Sequence, residues 1–281
     1  MRASGKIAII TGGASGIGAA LGRALAKEGA EVVLADRQPA LAEEVAASIV
    51  AAGGRATATE LDVRSFEAFE HLAESTLKRC GRIDYLFNNA GIAIGGEIDS
   101  FTVEDWHDVL DVNLKGVVYG IQAVYPRMIA QGSGHIVNTA SMAGLVATAG
   151  EASYGATKHA VVALSKSLRI EGKRHGIQVS VLCPGAVRTP ILTGGVYGRL
   201  KMPGVSNEKV LELWERFRPM PVDVFAEKAL ARLFRGDSII VLPAWWKALW
   251  YLERISPDLS MFVWRSFLER TRRELEAGRP A

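Results

Sequence analysis

Short β-rich runs alternate along this chain with longer stretches in which apolar positions recur every three or four residues. The strand candidates fall at 6–11, 31–36, 55–61, 83–88, 134–140, 177–182 and 238–242, and several hold a continuous apolar run, such as Ile7-Ala8-Ile9-Ile10. An unbroken apolar run of this kind suits a strand covered on both faces of a parallel sheet. Helical periodicity predicts helices over 17–28, 41–52, 66–80, 103–130, 152–175 and 224–235. Strands and helices in alternation predict βαβ units with right-handed crossovers, an α/β fold with helices on both faces of the sheet. The pattern breaks near Pro243, where an aromatic-rich tail begins, so the expected organisation is a main domain over 1–243 and a helical extension over 244–281.

Composition narrows this picture in three ways. With 49% hydrophobic and 22% charged residues, the chain can fill a sizeable core, and disorder is excluded as its general state. A formal net charge of +3 is too balanced to predict nucleic acid as a partner. Cys80 and Cys183 stand far apart and suggest two thiols in a reducing compartment rather than a disulfide framework. No signal-peptide pattern fits the N-terminus, and the uncharged stretch 128–150 is too rich in Gly, Ser, Thr and Asn to span a membrane, so the cytoplasm is the expected location. The histidines are scattered, without metal-ligand spacing, and no metal is expected.

The first strand runs into Thr11-Gly12-Gly13-Ala14-Ser15-Gly16-Ile17-Gly18, and a helix follows. In that context glycines permit a tight turn, and backbone N–H groups together with a helix N-terminus can take a pyrophosphate; Gly12, Ser15, Gly16, Ile17 and Gly18 are the candidate contacts. The second strand ends in Asp36, suited to the hydroxyls of an adenosine ribose and repellent to a 2′-phosphate. Arg37 follows and offsets that charge in part, but the Gly turn carries no Arg or Lys, so NAD is expected over NADP. Asp62 and Val63 end the third strand within reach of an adenine. Asn88-Asn89-Ala90-Gly91 ends the fourth, with Asn89, Ala90 and Gly91 against the cofactor.

Together with Asn113, Ser141, Tyr154-x-x-x-Lys158 and Pro184-Gly185, these motifs stand in an order and spacing that resembles the short-chain dehydrogenase/reductase family over roughly residues 4–243. The resemblance implies a Rossmann-like, doubly wound, seven-stranded parallel sheet and a nicotinamide cofactor. It also implies hydride exchange with an alcohol or carbonyl, and a homodimer or homotetramer formed through the long helices. Tyr154 and Lys158 lie four apart in a helical pattern, on one face. A phenol with a pKa of about 10 is a poor base at neutral pH. A cation at about 4 Å contributes roughly 4 kcal/mol at an effective dielectric of about 20, worth about three pKa units. Desolvation opposes that shift, and the positive nicotinamide ring of oxidised NAD is expected to add to it; Lys158 is the expected tuning charge, with a further bond to the nicotinamide ribose, and Tyr154 the acid or base. Ser141, after the fifth strand, is expected to hold the substrate oxygen. The resemblance gives Asn113 the task of holding a water that links Lys158 to solvent; by residue pattern alone it is a helix irregularity. Pro184, Gly185, Val187 and Thr189 are expected against the nicotinamide.

Beyond Thr189, the Gly-rich segment 189–207 reads as a lid over a hydrophobic alcohol or ketone. In the extension, Trp245, Leu249 and Leu252 share one helical face with Trp246 beside it, and Met261, Trp264, Leu268 and Leu275 form a second stripe, with Arg265, Arg272, Arg273 and Arg279 around them. Three arrangements fit: packing on the protein's own core or a partner subunit, covering the pocket, or resting on a membrane surface, the last not favoured. The expected function is NAD-dependent alcohol oxidation or ketone reduction. The alternative is a silent NAD(H)-binding sensor or scaffold of the same fold.

Overall fold

The computed structural model describes residues 1–202 and 204–277; position 203 of the expected lid and 278–281 of the expected extension lie outside the described residues. Seven strands form one parallel sheet: β1 (Ile7–Thr11), β2 (Glu31–Asp36), β3 (Arg55–Glu60), β4 (Tyr85–Asn88), β5 (Gly134–Thr139), β6 (Ile177–Pro184) and β7 (Ile239–Leu242). Their spatial order is β3-β2-β1-β4-β5-β6-β7, the doubly wound arrangement that the residue pattern and the resemblance predict. Each apolar run splits its side chains between two cores. Ile9 and Val33 join one face of the sheet, while Ala8, Ile10, Val32 and Leu34 join the other. That division explains why these strands lack the polar alternation of a half-exposed sheet.

Helices α1 (Gly16–Lys27), α2 (Pro39–Ala51) and α8 (Val222–Leu233) fill one core, and α3 (Phe66–Cys80), α5 (Gly116–Gln131) and α6 (Ala152–Gly172) fill the other. The single helix expected over 103–130 is α4 (Val103–Leu110) joined to α5 by a widened π-helical turn, Asp111–Lys115. Strand order reverses between β1 and β4, which opens a crevice at the carboxyl ends of the strands.

The expected lid is part loop and part ordered structure. Arg199–Leu200 pairs in parallel with Ile94–Gly95, and α7 (Asn207–Glu215) starts where the lid was expected to end. Ser206 caps α7 by accepting from the Lys209 N–H at 3.3 Å.

The extension forms α9 (Lys247–Ile255) and α10 (Pro257–Ala277) and packs on its own chain. Its anchor corrects the predicted face: Trp246 is 4% exposed, whereas Trp245 is 46% exposed. Ala244–Trp246 forms a separate 3₁₀ turn, so the tighter winding shifts the phase ahead of α9. Trp246 stacks on Phe217 at 5.5 Å between ring centres, and Phe217 meets Phe267 of α10 at 5.2 Å. Met261 of the second predicted stripe is exposed, whereas Trp264 and Leu268 of that stripe turn inward together with Ser260 and Phe267. No helix among the described residues is long and apolar enough to cross a membrane.

Truncating a buried Trp forfeits both transfer energy and packing. Trp246→Ala is expected to lower the unfolding free energy by about 3–5 kcal/mol in a urea titration. Tyr251→Ser, at an exposed position of α9, should stay within about 0.5 kcal/mol of the parent.

Candidate functional site

A cleft of about 410 Å³ occupies the crevice. Its floor begins at the Gly-rich turn, where Gly12, Ser15, Gly16 and Ile17 line it. Ser15 stands at the N-cap of α1 without a side-chain cap bond, and the first turn holds no acidic residue. The first N–H groups of α1 are thus left without a side-chain acceptor, as a helix N-terminus suited to a pyrophosphate requires. Gly18 does not line the cleft. A Cβ there would collide with the Gly12 carbonyl oxygen, so its role is to let α1 dock beneath the turn.

Asp36 closes β2 at the cleft wall, 8% exposed. Its carboxylate accepts the N–H groups of Ala14 and Gln38, each at 3.0 Å, which fixes it beside the turn. Arg37 stacks over the Tyr197 ring at 4.6 Å and lies 3.8 Å from Asp62. Asp62 also lines the cleft, but Arg64 forks onto both its oxygens; chiefly through those bonds, its carboxyl is held below the usual carboxylate range. Val63, Ala90 and Gly91 complete this wall. Asn89 lines it too, yet its side chain works mainly as a fastener. It donates to the Thr11 carbonyl at 3.1 Å and accepts from the Thr139 hydroxyl at 3.3 Å, tying three strand ends together.

Ser141 follows β5, and Tyr154 and Lys158 stand one turn apart on α6; all three reach the same cleft. Lys158 is 2% exposed. Its ammonium donates to the Thr139 carbonyl at 2.9 Å and sits 5.4 Å from the centre of the Tyr154 ring. Burial pulls Lys158 down to about 8. Burial also pushes the Tyr154 phenol above its ordinary value, the Glu151 carboxyl adds to that rise, and hydrogen bonding from Ser141 opposes it. The desolvation that opposes the Lys158 charge is large in this cleft, and the ammonium is turned toward a carbonyl of β5.

Asn113 is fully buried behind the wall. Its amide accepts the Ile92 N–H and donates to the Ile92 carbonyl, both at 2.9 Å. The same amide also donates to the Thr157 hydroxyl at 3.4 Å. The π-helical turn that carries it is the irregularity its poor helix propensity announced.

The segment after β6 brings Pro184, Gly185, Val187 and Thr189 to the opposite wall, and Ile191, Leu192, Val196 and Tyr197 extend it into a roof. Trp246 lies so close behind Gly185 that a Cβ there would strike its indole ring. Among the wall residues that sequence reasoning missed are Glu151 and Trp214. Trp214 sits on an α7 that was not predicted, although Ser206 and the spacing of Val210 and Trp214 were its signal. Glu151, three positions before Tyr154, gave no signal beyond that spacing.

Residues 6–195 match the model of a family described as short chain dehydrogenase. A 2,5-dichloro-2,5-cyclohexadiene-1,4-diol dehydrogenase of Sphingobium indicum is 40% identical over 190 residues, 68% of this chain and 76% of that protein. A short-chain dehydrogenase/reductase of Burkholderia phymatum, solved in complex with NAD, superposes with a TM-score of 0.81 at 29% identity, over 92% of this chain and 96% of that one. A metagenomic short-chain oxidoreductase solved with NADP superposes with a TM-score of 0.69 at 31% identity, over 86% and 98%.

Removing the Asn113 amide strands a buried donor and acceptor on Ile92, at about 1–3 kcal/mol for each group. Asn113→Ala is expected to unfold at lower denaturant and to lose hydrogen-exchange protection at the Ile92 amide. Unchanged protection there would show that the clasp does not hold the turn.

Proposed function

The chain belongs to the short-chain dehydrogenase family, oxidoreductases that use a nicotinamide cofactor, and from that premise we propose that it transfers a hydride between NAD and a hydrophobic secondary alcohol or ketone. The observation that carries this reading is convergence: Ser141, Tyr154 and Lys158 open into the same cleft as the uncapped N-terminus of α1.

The donor set fits a dinucleotide. The turn from Gly12 to Ile17 takes the pyrophosphate on backbone N–H groups. Asp36 accepts from the adenosine ribose, Asp62 and Val63 border the adenine, and Ala90 and Gly91 line the path between. Pro184, Gly185, Val187 and Thr189 hold the nicotinamide, which when bound supplies or accepts the hydride. Lys158 spends one of its three N–H donors on Thr139, which leaves donors for the nicotinamide ribose. NAD is favoured because the Asp36 carboxylate would repel a 2′-phosphate, while Arg37 is engaged with Tyr197 and Asp62.

In the reducing direction Tyr154 gives its proton to the carbonyl oxygen as general acid, a task suited to a phenol that burial keeps protonated. Ser141 donates a hydrogen bond to the same oxygen and holds it in line. The Lys158 ammonium stabilises the phenolate left behind. Oxidation runs the same contacts in reverse. Asn113 contributes as a positioning residue, by fixing the turn at Ile92 beside Lys158. The lid and the wall residues Ile92, Val112, Leu192 and Trp214 provide an apolar seat for the substrate. We read residues 1–243 as the catalytic unit, braced by the extension.

Tyr154→Phe is expected to bind NADH as the parent does, by fluorescence titration, and to lose roughly 100- to 10,000-fold in kcat. Turnover near the parent's would overturn the assignment. Asp36→Ala should lose roughly 10- to 100-fold in kcat/KM with NAD, the worth of a hydrogen bond to a charged group. The NAD-to-NADP ratio of the variant should fall below that of the parent.

A further inference from the structure

Glu151 is a cleft residue that the hydride-transfer reading leaves without a task. It stands at the N-terminal end of α6, three residues before Tyr154, on the same wall as Ser141 and Tyr154. Residues three apart across a helical turn are neighbours, with Cβ atoms about 5–6 Å apart. Its backbone is fixed on both sides: the Glu151 N–H donates to the Thr148 carbonyl at 3.3 Å, and its own carbonyl accepts the Gly155 N–H at 2.8 Å. A bridge to Gly96, in the loop after β4, holds it as well. Its carboxyl, in contrast, pairs with no donor among the described residues, and the nearby ammonium of Lys158 is directed at Thr139. Ile92, Val112, Leu192 and Trp214 line the same cleft. Burial pushes this carboxyl up to about 7, so near neutrality it can both accept and donate a hydrogen bond.

We propose that Glu151 is a specificity-determining residue that selects substrates bearing a second hydroxyl within a few carbons of the reacting carbon, that is, diols and hydroxyketones. This inference rests on the hydride-transfer reading. The Glu151 carboxyl is half-buried and opens into the cleft without a protein donor among the described residues, so a substrate hydroxyl that replaces water there gains a hydrogen bond in a partly desolvated site. A hydroxyl suits the site better than a charged group. The Lys158 ammonium in the same cleft disfavours a cationic substrate, and Glu151 itself disfavours a carboxylate. The short span from Glu151 to Tyr154 sets the reach: one hydroxyl is seated at Tyr154 and Ser141 while the other meets Glu151.

The test compares cyclohexanol with cyclohexane-1,2-diol, -1,3-diol and -1,4-diol as substrates with NAD, by kcat/KM, in the wild type, Glu151→Gln and Glu151→Leu. The wild type should favour at least one diol over cyclohexanol by about 10- to 100-fold. Glu151→Leu should bring that ratio close to one, and Glu151→Gln, which keeps an acceptor, should retain part of it. Turnover of cyclohexanol without a diol preference, or a preference that survives in Glu151→Leu, would overturn the role of Glu151 while leaving the hydride-transfer reading intact. Failure of the wild type to oxidise any of these alcohols or reduce the matching ketones would overturn both.

Discussion

The cleft is organised around a buried ammonium. Lys158 is almost wholly withdrawn from solvent, and one backbone carbonyl, that of Thr139, takes one of its three N–H groups. Desolvating a cation costs several kcal/mol unless its surroundings are arranged for it. Those surroundings account for much of the local design. The backbone of α6 at Lys158 passes so close to Gly144 that a side chain there would collide with the Lys158 carbonyl. The Lys158 ammonium and the Asn113 amide both border Gly91, and Asn113 in turn clasps Ile92. Strand β5, helix α6, the turn after β4 and the widened turn before α5 are thus locked together at one point, beside the crevice that the strand order creates.

The roof and the extension form a second structure that leans on the first. Gly185 rests against Trp246, Trp246 stacks on Phe217, and Phe217 meets Phe267. Ion pairs continue the bracing on the outside: Arg216 joins Glu274, and Arg272 joins Glu97. Helix α10 therefore links α7, beside the substrate end of the cleft, to the loop after β4. Exposed pairs of this kind contribute little stability each. Here the aromatic contacts carry the packing, and the ion pairs fix the direction in which α10 lies.

Legibility varied with the range of the interaction involved. The central strands were readable because burial on both faces leaves an apolar run, the edge strand β3 by its alternating Ala and Thr, and all seven lie within two residues of their predicted bounds. The Gly turn was readable because local backbone geometry requires those glycines. Less visible was anything that depends on where a side chain turns after packing. Asn113 carried a marked helix irregularity, but its partner Ile92 lies 21 residues away. Trp245 and Trp246 are adjacent and chemically alike, and a local change in winding decided which one is buried. Glu151 carried no signal in the sequence, and only the fold brings its carboxyl to the cleft with no donor among the described residues.

By itself, then, the order of apolar runs and helical periods determined a parallel α/β sheet, and the motifs at the strand ends determined which residues gather at its carboxyl edge. Both follow from short-range physics: strand and helix periods, glycine geometry and the amphipathic spacing of Tyr154 and Lys158. The tertiary structure decided the electrostatics. Whether the phenol is governed by a neighbouring charge or by desolvation depends on distances and burial assembled from α6, β5 and the loops that close over them. Those loops come from distant parts of the chain, and no local pattern records how deeply they cover a charge.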